Sequence, residues 1–85
     1  MMYNKNQGDI YIVVDKKEIE DLSQLMFEAT IAYKLNLDKV SNETGVGCNT
    51  IIMIQSGNPF VEYSDFIKVR DYVEGYYKRK KRLHK

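Results

Sequence analysis

The sequence predicts a small, mostly α-helical domain of four or five helices that contains a helix-turn-helix. Apolar residues recur at three- and four-residue spacing in two long segments, as they do on the buried face of a helix. Between these segments, a turn with two glycines joins two short stretches of helical character. A chain of 85 residues is sufficient for one domain. We therefore divide it into an N-terminal arm or strand (1–15), a helix-turn-helix domain (16–77) and a basic tail (78–85).

The N-terminal arm contains a short segment with the composition of a β-strand. Residues 9–15 read Asp-Ile-Tyr-Ile-Val-Val-Asp, which is rich in β-branched and aromatic side chains. A single strand has no partner inside a helical domain, so we expect it to pair with the same strand of a second copy in a homodimer. Its apolar run, residues 10–14, is far shorter than the roughly 20 residues that cross a membrane. With no apolar signal-peptide region before it, we expect a cytoplasmic protein without a membrane partner.

The first long segment begins with a helix-capping pattern. Asp15 is followed by Glu18 three residues later, which is the spacing of a capping box. The helix should end near Leu35. Its buried stripe is predicted to consist of Ile19, Leu22, Met26, Ala29 and Tyr33, widened by Leu25 and Ala32.

Residues 36–57 have the pattern of two short helices joined by a tight turn. Asn36 is the expected cap of the first, and Gly57 ends the second. Ser41 is small where the helices would cross, and Gly45 stands where the turn requires a left-handed backbone. The small core beneath the turn is predicted to contain Val40, Val46, Ile51 and Ile54.

A final helix is predicted after a loop, with Ser64 as its cap. Gly75 either ends this helix or is tolerated inside it at a cost of about 1 kcal/mol. The apolar residues of the helix are Phe66, Ile67, Val69, Tyr72, Val73, Tyr76 and Tyr77.

The block from Asn36 to Gly57 resembles the Cro and phage-repressor helix-turn-helix family, also called the xenobiotic-response-element family. The small residue, the turn glycine and two core positions of that family match Ser41, Gly45, Ile51 and Ile54. The resemblance extends over roughly residues 16–73. It implies a second, recognition helix in the major groove of double-stranded DNA. The base-facing positions that it implies are Gly47, Cys48, Asn49, Ile52 and Met53.

The chain departs from the family where charged and polar contacts are expected. The family often has a phosphate-binding Gln where this chain has Leu37. An ion pair between the recognition helix and the first helix would fall on Gln55 and Thr30, so both charges are replaced together. No Lys or Arg lies between Val40 and Val61, although phosphate contacts supply much of DNA affinity. We expect contacts with the DNA backbone from Lys39, Thr50, Asn58, Lys78, Arg79, Lys80, Lys81 and Arg82, with Lys34, Lys68 and Arg70 as further cations.

The charge distribution separates an acidic body from a basic tail. The tail holds six of the thirteen Lys and Arg residues and no acid, so residues 1–77 carry seven cations and all twelve acids, a net charge of −5. Such asymmetry indicates a polyanionic partner. The alternative is a solvated terminus without a partner.

Two functions are compatible with these features. The first is a small sequence-specific transcriptional regulator, resembling a phage or mobile-element repressor, that binds DNA as a homodimer. The second is a protein-binding helix-turn-helix module, such as an anti-repressor, that uses the apolar Ile52 and Met53 to bind another regulatory protein. An enzyme is not indicated, because no catalytic set can be assembled. One cysteine, Cys48, and one histidine, His84, exclude a Cys-based zinc site, and we expect no cofactor.

Overall fold

The computed structural model describes residues 14–83 of the chain. These residues form four helices and no strand, which confirms the predicted small all-α domain. The helices are α1 (Lys16–Tyr33), α2 (Leu37–Thr44), α3 (Cys48–Gln55) and α4 (Tyr63–Leu83). The predicted strand lies outside the described residues except for Val14 and Asp15, which precede α1. None of the four helices combines the length and the apolar character needed to cross a membrane.

Helix α1 begins as predicted and buries most of its predicted apolar stripe, but Leu25 and Tyr33 are half-buried and Ala32 is exposed. The Asp15 carboxylate accepts a hydrogen bond from the Lys17 N–H at 3.1 Å, which caps the helix. Helix α1 ends at Tyr33, two residues before the expected end, because Lys34 adopts a left-handed conformation with φ of 57°. The fully buried positions of the stripe are Ile19, Leu22, Met26 and Ala29.

Helices α2 and α3 are eight residues each and are joined by a three-residue turn, as the spacing predicts. The Asn36 side chain caps α2 by accepting the Lys39 N–H at 3.2 Å. The Ser41 hydroxyl donates to the carbonyl of Val46 at 2.7 Å, so it fastens the turn as well as being small. The four predicted core residues of this unit, Val40, Val46, Ile51 and Ile54, are all buried.

Gly45 provides the left-handed step between α2 and the turn, with φ of 79°. Gly45→Ala should lower the free energy of unfolding by about 1–2 kcal/mol, because a Cβ strains this conformation even though the space around it is open. Urea unfolding measures the loss. Gly47→Ala is the matched control, since Gly47 is equally open but has φ of −62°. An equal loss in both variants would show that the left-handed conformation is not the cause.

Helix α4 differs from the prediction at its start. It begins at Tyr63, and the Glu62 carbonyl accepts the Phe66 N–H at 3.0 Å, so the prediction that Ser64 caps it is wrong. The helix passes through Gly75 and ends at Leu83. Of the two alternatives for Gly75, the structure shows that the glycine is tolerated inside the helix. Residues 78–83, the described part of the predicted basic tail, are therefore a continuation of α4.

One hydrophobic core joins the four helices. Helix α1 packs against α3 and most extensively against α4, and α2 packs against α3 and α4. Phe66 is the largest fully buried side chain of this core. The loop between α3 and α4 is tied to the segment before α1, because the Val14 N–H donates to the Pro59 carbonyl at 3.3 Å. Val14 and Val61 bury their side chains on either side of this contact.

Candidate nucleic-acid interface

The N-terminal turn of α3 is open to solvent. Gly47, Cys48 and Asn49 are exposed, whereas Ile51 and Ile54 are fully buried on the opposite side of the helix. No side chain caps this helix end, so its first backbone N–H groups have no side-chain acceptor. A Cβ placed on Gly47 would have nothing within 4 Å. A ligand can therefore approach the backbone of this turn closely.

Two residues of α3 that were predicted to face the DNA bases, Ile52 and Met53, differ in exposure. Ile52 is 48% exposed, as a groove contact requires. Met53 is half-buried and packs against the core, so it offers less surface than predicted. After α3 the backbone is closed by a C-terminal cap, in which the Asn58 N–H donates to the Met53 carbonyl at 2.9 Å.

The N-termini of α2 and α3 lie side by side. The Cys48 Sγ is 3.7 Å from Oδ1 of Asp38, which belongs to the first turn of α2. Each helix N-terminus carries a partial positive charge that favours an anion. The Asp38 carboxylate offsets part of this charge, and the exposed Lys39 beside it adds a cation. Within residues 14–83, no group of three potential metal ligands accompanies this cysteine.

The uncharged residues predicted to contact the DNA backbone are partly engaged within the protein. The Asn58 Oδ1 accepts the Phe60 N–H at 2.9 Å, which leaves its amide nitrogen for an external acceptor. Thr50 and Asn58 are both half-buried.

Five cations follow the packed part of α4, in the segment that we call the cationic extension (residues 78–83). Four of them are exposed and Lys80 is half-buried. The Lys80 and Lys81 ammonium groups lie 5.5 and 5.9 Å from the ring centroids of Tyr76 and Tyr77. These cation–π contacts span one helical turn and favour the helical form of the extension.

The cationic extension projects from the end of the domain where α2 begins. Burial raises the pKa of Tyr72, and the charge of the Glu43 carboxylate raises it further. The Tyr76 hydroxyl, one turn later, donates to the Tyr33 carbonyl at 2.6 Å, close to the start of α2. Helix α4 packs against α2, and the cations come after the contact of Tyr76 with Tyr33.

Hydroxyl groups that the sequence analysis did not assign hold the unit together. The Ser23 hydroxyl donates to the Gln55 carbonyl and joins α1 to the end of α3. The Thr30 hydroxyl donates to the Met26 carbonyl of its own helix at 2.8 Å. The Thr44 hydroxyl accepts the Val46 N–H at 3.2 Å. Ser and Thr near helix ends are the sequence signal for such bonds.

Helix α3 itself carries no charged residue. Between Val40 and Val61 the sequence contains one charged residue, Glu43. The candidate interface therefore combines an open, neutral helix end with cations held on a separate helix.

No protein-family model, no curated protein and no solved structure matches this chain.

Proposed function

We propose that the protein is a small intracellular regulator that binds specific DNA sequences through α3, with a homodimer reading two half-sites. The observation that carries the proposal is the exposed N-terminal turn of α3, which no side chain caps. In helix-turn-helix proteins this end of the second helix enters the major groove. Small residues at Gly47 and Cys48 allow a close approach to base edges.

The side chains of α3 are suited to reading A·T base pairs. The exposed Asn49 amide is able to donate to N7 and accept from N6 of adenine in a bidentate contact. Exposed Ile52, one turn later, fits the methyl group of thymine. The free N–H groups at the helix start would bind a phosphate or a base acceptor.

The cationic extension supplies the phosphate contacts that α3 lacks. The body of the protein has a net charge of −5, which opposes approach to DNA. The extension begins two residues after Tyr76, whose hydroxyl contacts the Tyr33 carbonyl just before α2. Phosphate contacts determine affinity and position, whereas the α3 contacts determine sequence preference.

Selection from a pool of randomised duplexes tests this function. The full chain should enrich a short A·T-containing sequence, and fluorescence anisotropy should show tighter binding to that duplex than to a scrambled one at the same salt concentration. Failure to enrich any sequence would contradict the proposal.

Asn49→Ala should weaken binding to the selected duplex by about 1–3 kcal/mol and relax the preference at one base pair, because one bidentate contact is lost. Anisotropy on the selected duplex and its single-base variants measures both effects. Asn42→Ala is the matched control, since Asn42 is an exposed amide on α2. An equal loss on selected and scrambled DNA would show that Asn49 contacts the DNA backbone instead.

A specific observation favours the second candidate, a protein-binding role as in an anti-repressor. Ile52 is half exposed on a helix without charge, and the Asp38 carboxylate stands beside the start of that helix. Such a surface suits an apolar protein groove. This candidate predicts no sequence enrichment from the duplex pool, which separates it from the first.

A further inference from the structure

Helix α1 carries an exposed stripe on the side that does not enter the core. Phe27 and Ile31 are 58% and 67% exposed and lie one helical turn apart. Glu20 and Gln24 precede them and Lys34 follows, all of them exposed. The first four of these five residues are spaced 4, 3 and 4 apart on one line along the helix, and Lys34, the left-handed residue that ends the helix, follows three residues later. We call them the α1 stripe.

We propose that the α1 stripe is the dimer surface and that its occupant is the same stripe of a second copy, packed antiparallel about a two-fold axis at Phe27. A two-fold interface requires a surface that is complementary to itself. The stripe meets this requirement because its charges are placed symmetrically. Glu20 lies seven residues before Phe27 and Lys34 lies seven residues after it.

Antiparallel packing brings unlike charges together at both ends of the interface. Phe27 meets Phe27 of the second copy at the centre, and Glu20 of each copy faces Lys34 of the other. Within residues 14–83, neither Glu20 nor Lys34 forms an ion pair, so both charges are available. A parallel pair would instead place Glu20 against Glu20 and Lys34 against Lys34. The charge order therefore selects the antiparallel arrangement.

The position of the stripe leaves the candidate nucleic-acid interface uncovered. Ser23, one turn before Phe27, contacts the carbonyl of Gln55, the last residue of α3. The stripe thus borders the C-terminal end of α3, whereas Gly47 and Asn49 lie at the other end of that helix. A dimer formed here presents two open α3 N-termini. This dimer surface rests on the proposed function, which requires a homodimer.

Sedimentation equilibrium of the full chain without DNA tests the surface. The small apolar area predicts a weak, reversible dimer with a dissociation constant on the order of 10–100 µM. Phe27→Asp and Ile31→Asp should each raise that constant about tenfold or more, because each places a charge in the apolar centre. Phe60→Asp is the matched control, since Phe60 is 72% exposed in the loop before α4. Circular dichroism should show unchanged helix content in all three variants, whose substituted side chains are solvent-exposed.

Charge reversal tests the direction of packing. Glu20→Lys and Lys34→Glu should each raise the dissociation constant about threefold, and the double variant should restore the original value. A chain that stays monomeric at about 0.5 mM, or a dimer that Phe27→Asp does not weaken, would overturn the proposal. Single reversals without effect would overturn the antiparallel arrangement. No DNA is present in these measurements. A negative result would therefore overturn the α1 dimer surface without testing whether the protein binds DNA.

Discussion

Replacement of all five cations of the cationic extension by glutamine should weaken binding to every duplex about a hundredfold or more at 0.1 M salt. Each phosphate that a protein neutralises contributes about −0.9 to the slope of log affinity against log salt. Loss of several such contacts should flatten the slope by roughly 2–5 units. Glutamine has nearly the helix propensity of lysine and arginine, so α4 keeps its length. The substituted residues are Lys78, Arg79, Lys80, Lys81 and Arg82.

Anisotropy titrations at several salt concentrations measure this slope on selected and scrambled duplexes. The preference for the selected sequence should remain, because the bases are read by α3. Lys16→Gln with Lys17→Gln is the control, since these exposed cations lie at the start of α1, far along the domain from the extension. An unchanged salt slope after loss of the five charges would show that the extension does not contact phosphate.

Phe66→Ala should lower the free energy of unfolding by about 3–5 kcal/mol, as loss of a fully buried aromatic ring does. The Phe66 ring is completely inaccessible to solvent, stacks on Tyr63 at 5.9 Å between centroids, and has the Arg70 guanidinium 5.8 Å above it. A domain of this size has a stability of only about 5–15 kcal/mol, so the variant should be partly unfolded at moderate urea concentration.

Phe60→Ala is the matched control for the core substitution, because the same ring is removed from a largely exposed position. Its unfolding free energy should change by less than about 0.5 kcal/mol. Urea denaturation followed by circular dichroism measures both variants. If both variants lost the same stability, the core described here would not be the main source of it.

The helices and most of the core could be predicted because both depend on short-range spacing. Apolar residues three and four apart define a buried face, and Asp15, Asn36 and Gly45 mark helix ends through local hydrogen bonds or backbone conformation. The prediction that Ser64 caps α4 was wrong for a similarly local reason. The backbone carbonyl of Glu62 accepts the Phe66 N–H, so helix α4 begins before Ser64. Every residue has a backbone carbonyl, so such a bond gives no sequence signal.

The parts of the site that depend on distant contacts could not be predicted. Spacing alone gives Ile52 and Met53 similar exposure, but Met53 packs against the core of the folded domain. Likewise, the residue of α1 that faces Gln55 depends on how the two helices cross. The structure has the Ser23 hydroxyl at the Gln55 carbonyl.

The packing of the first helix against the last has a consequence for how the domain folds during synthesis. Helix α1 is made before the helices that cover its apolar face, α3 and α4, and α4, with which it packs most extensively, begins about 30 residues after α1 ends. Until α4 is made, Met26 and its neighbours have no lasting cover, and a nascent chain in that state is prone to aggregate. The domain should therefore acquire its structure in one late cooperative step, and any message truncated before α4 should yield a product that is rapidly degraded.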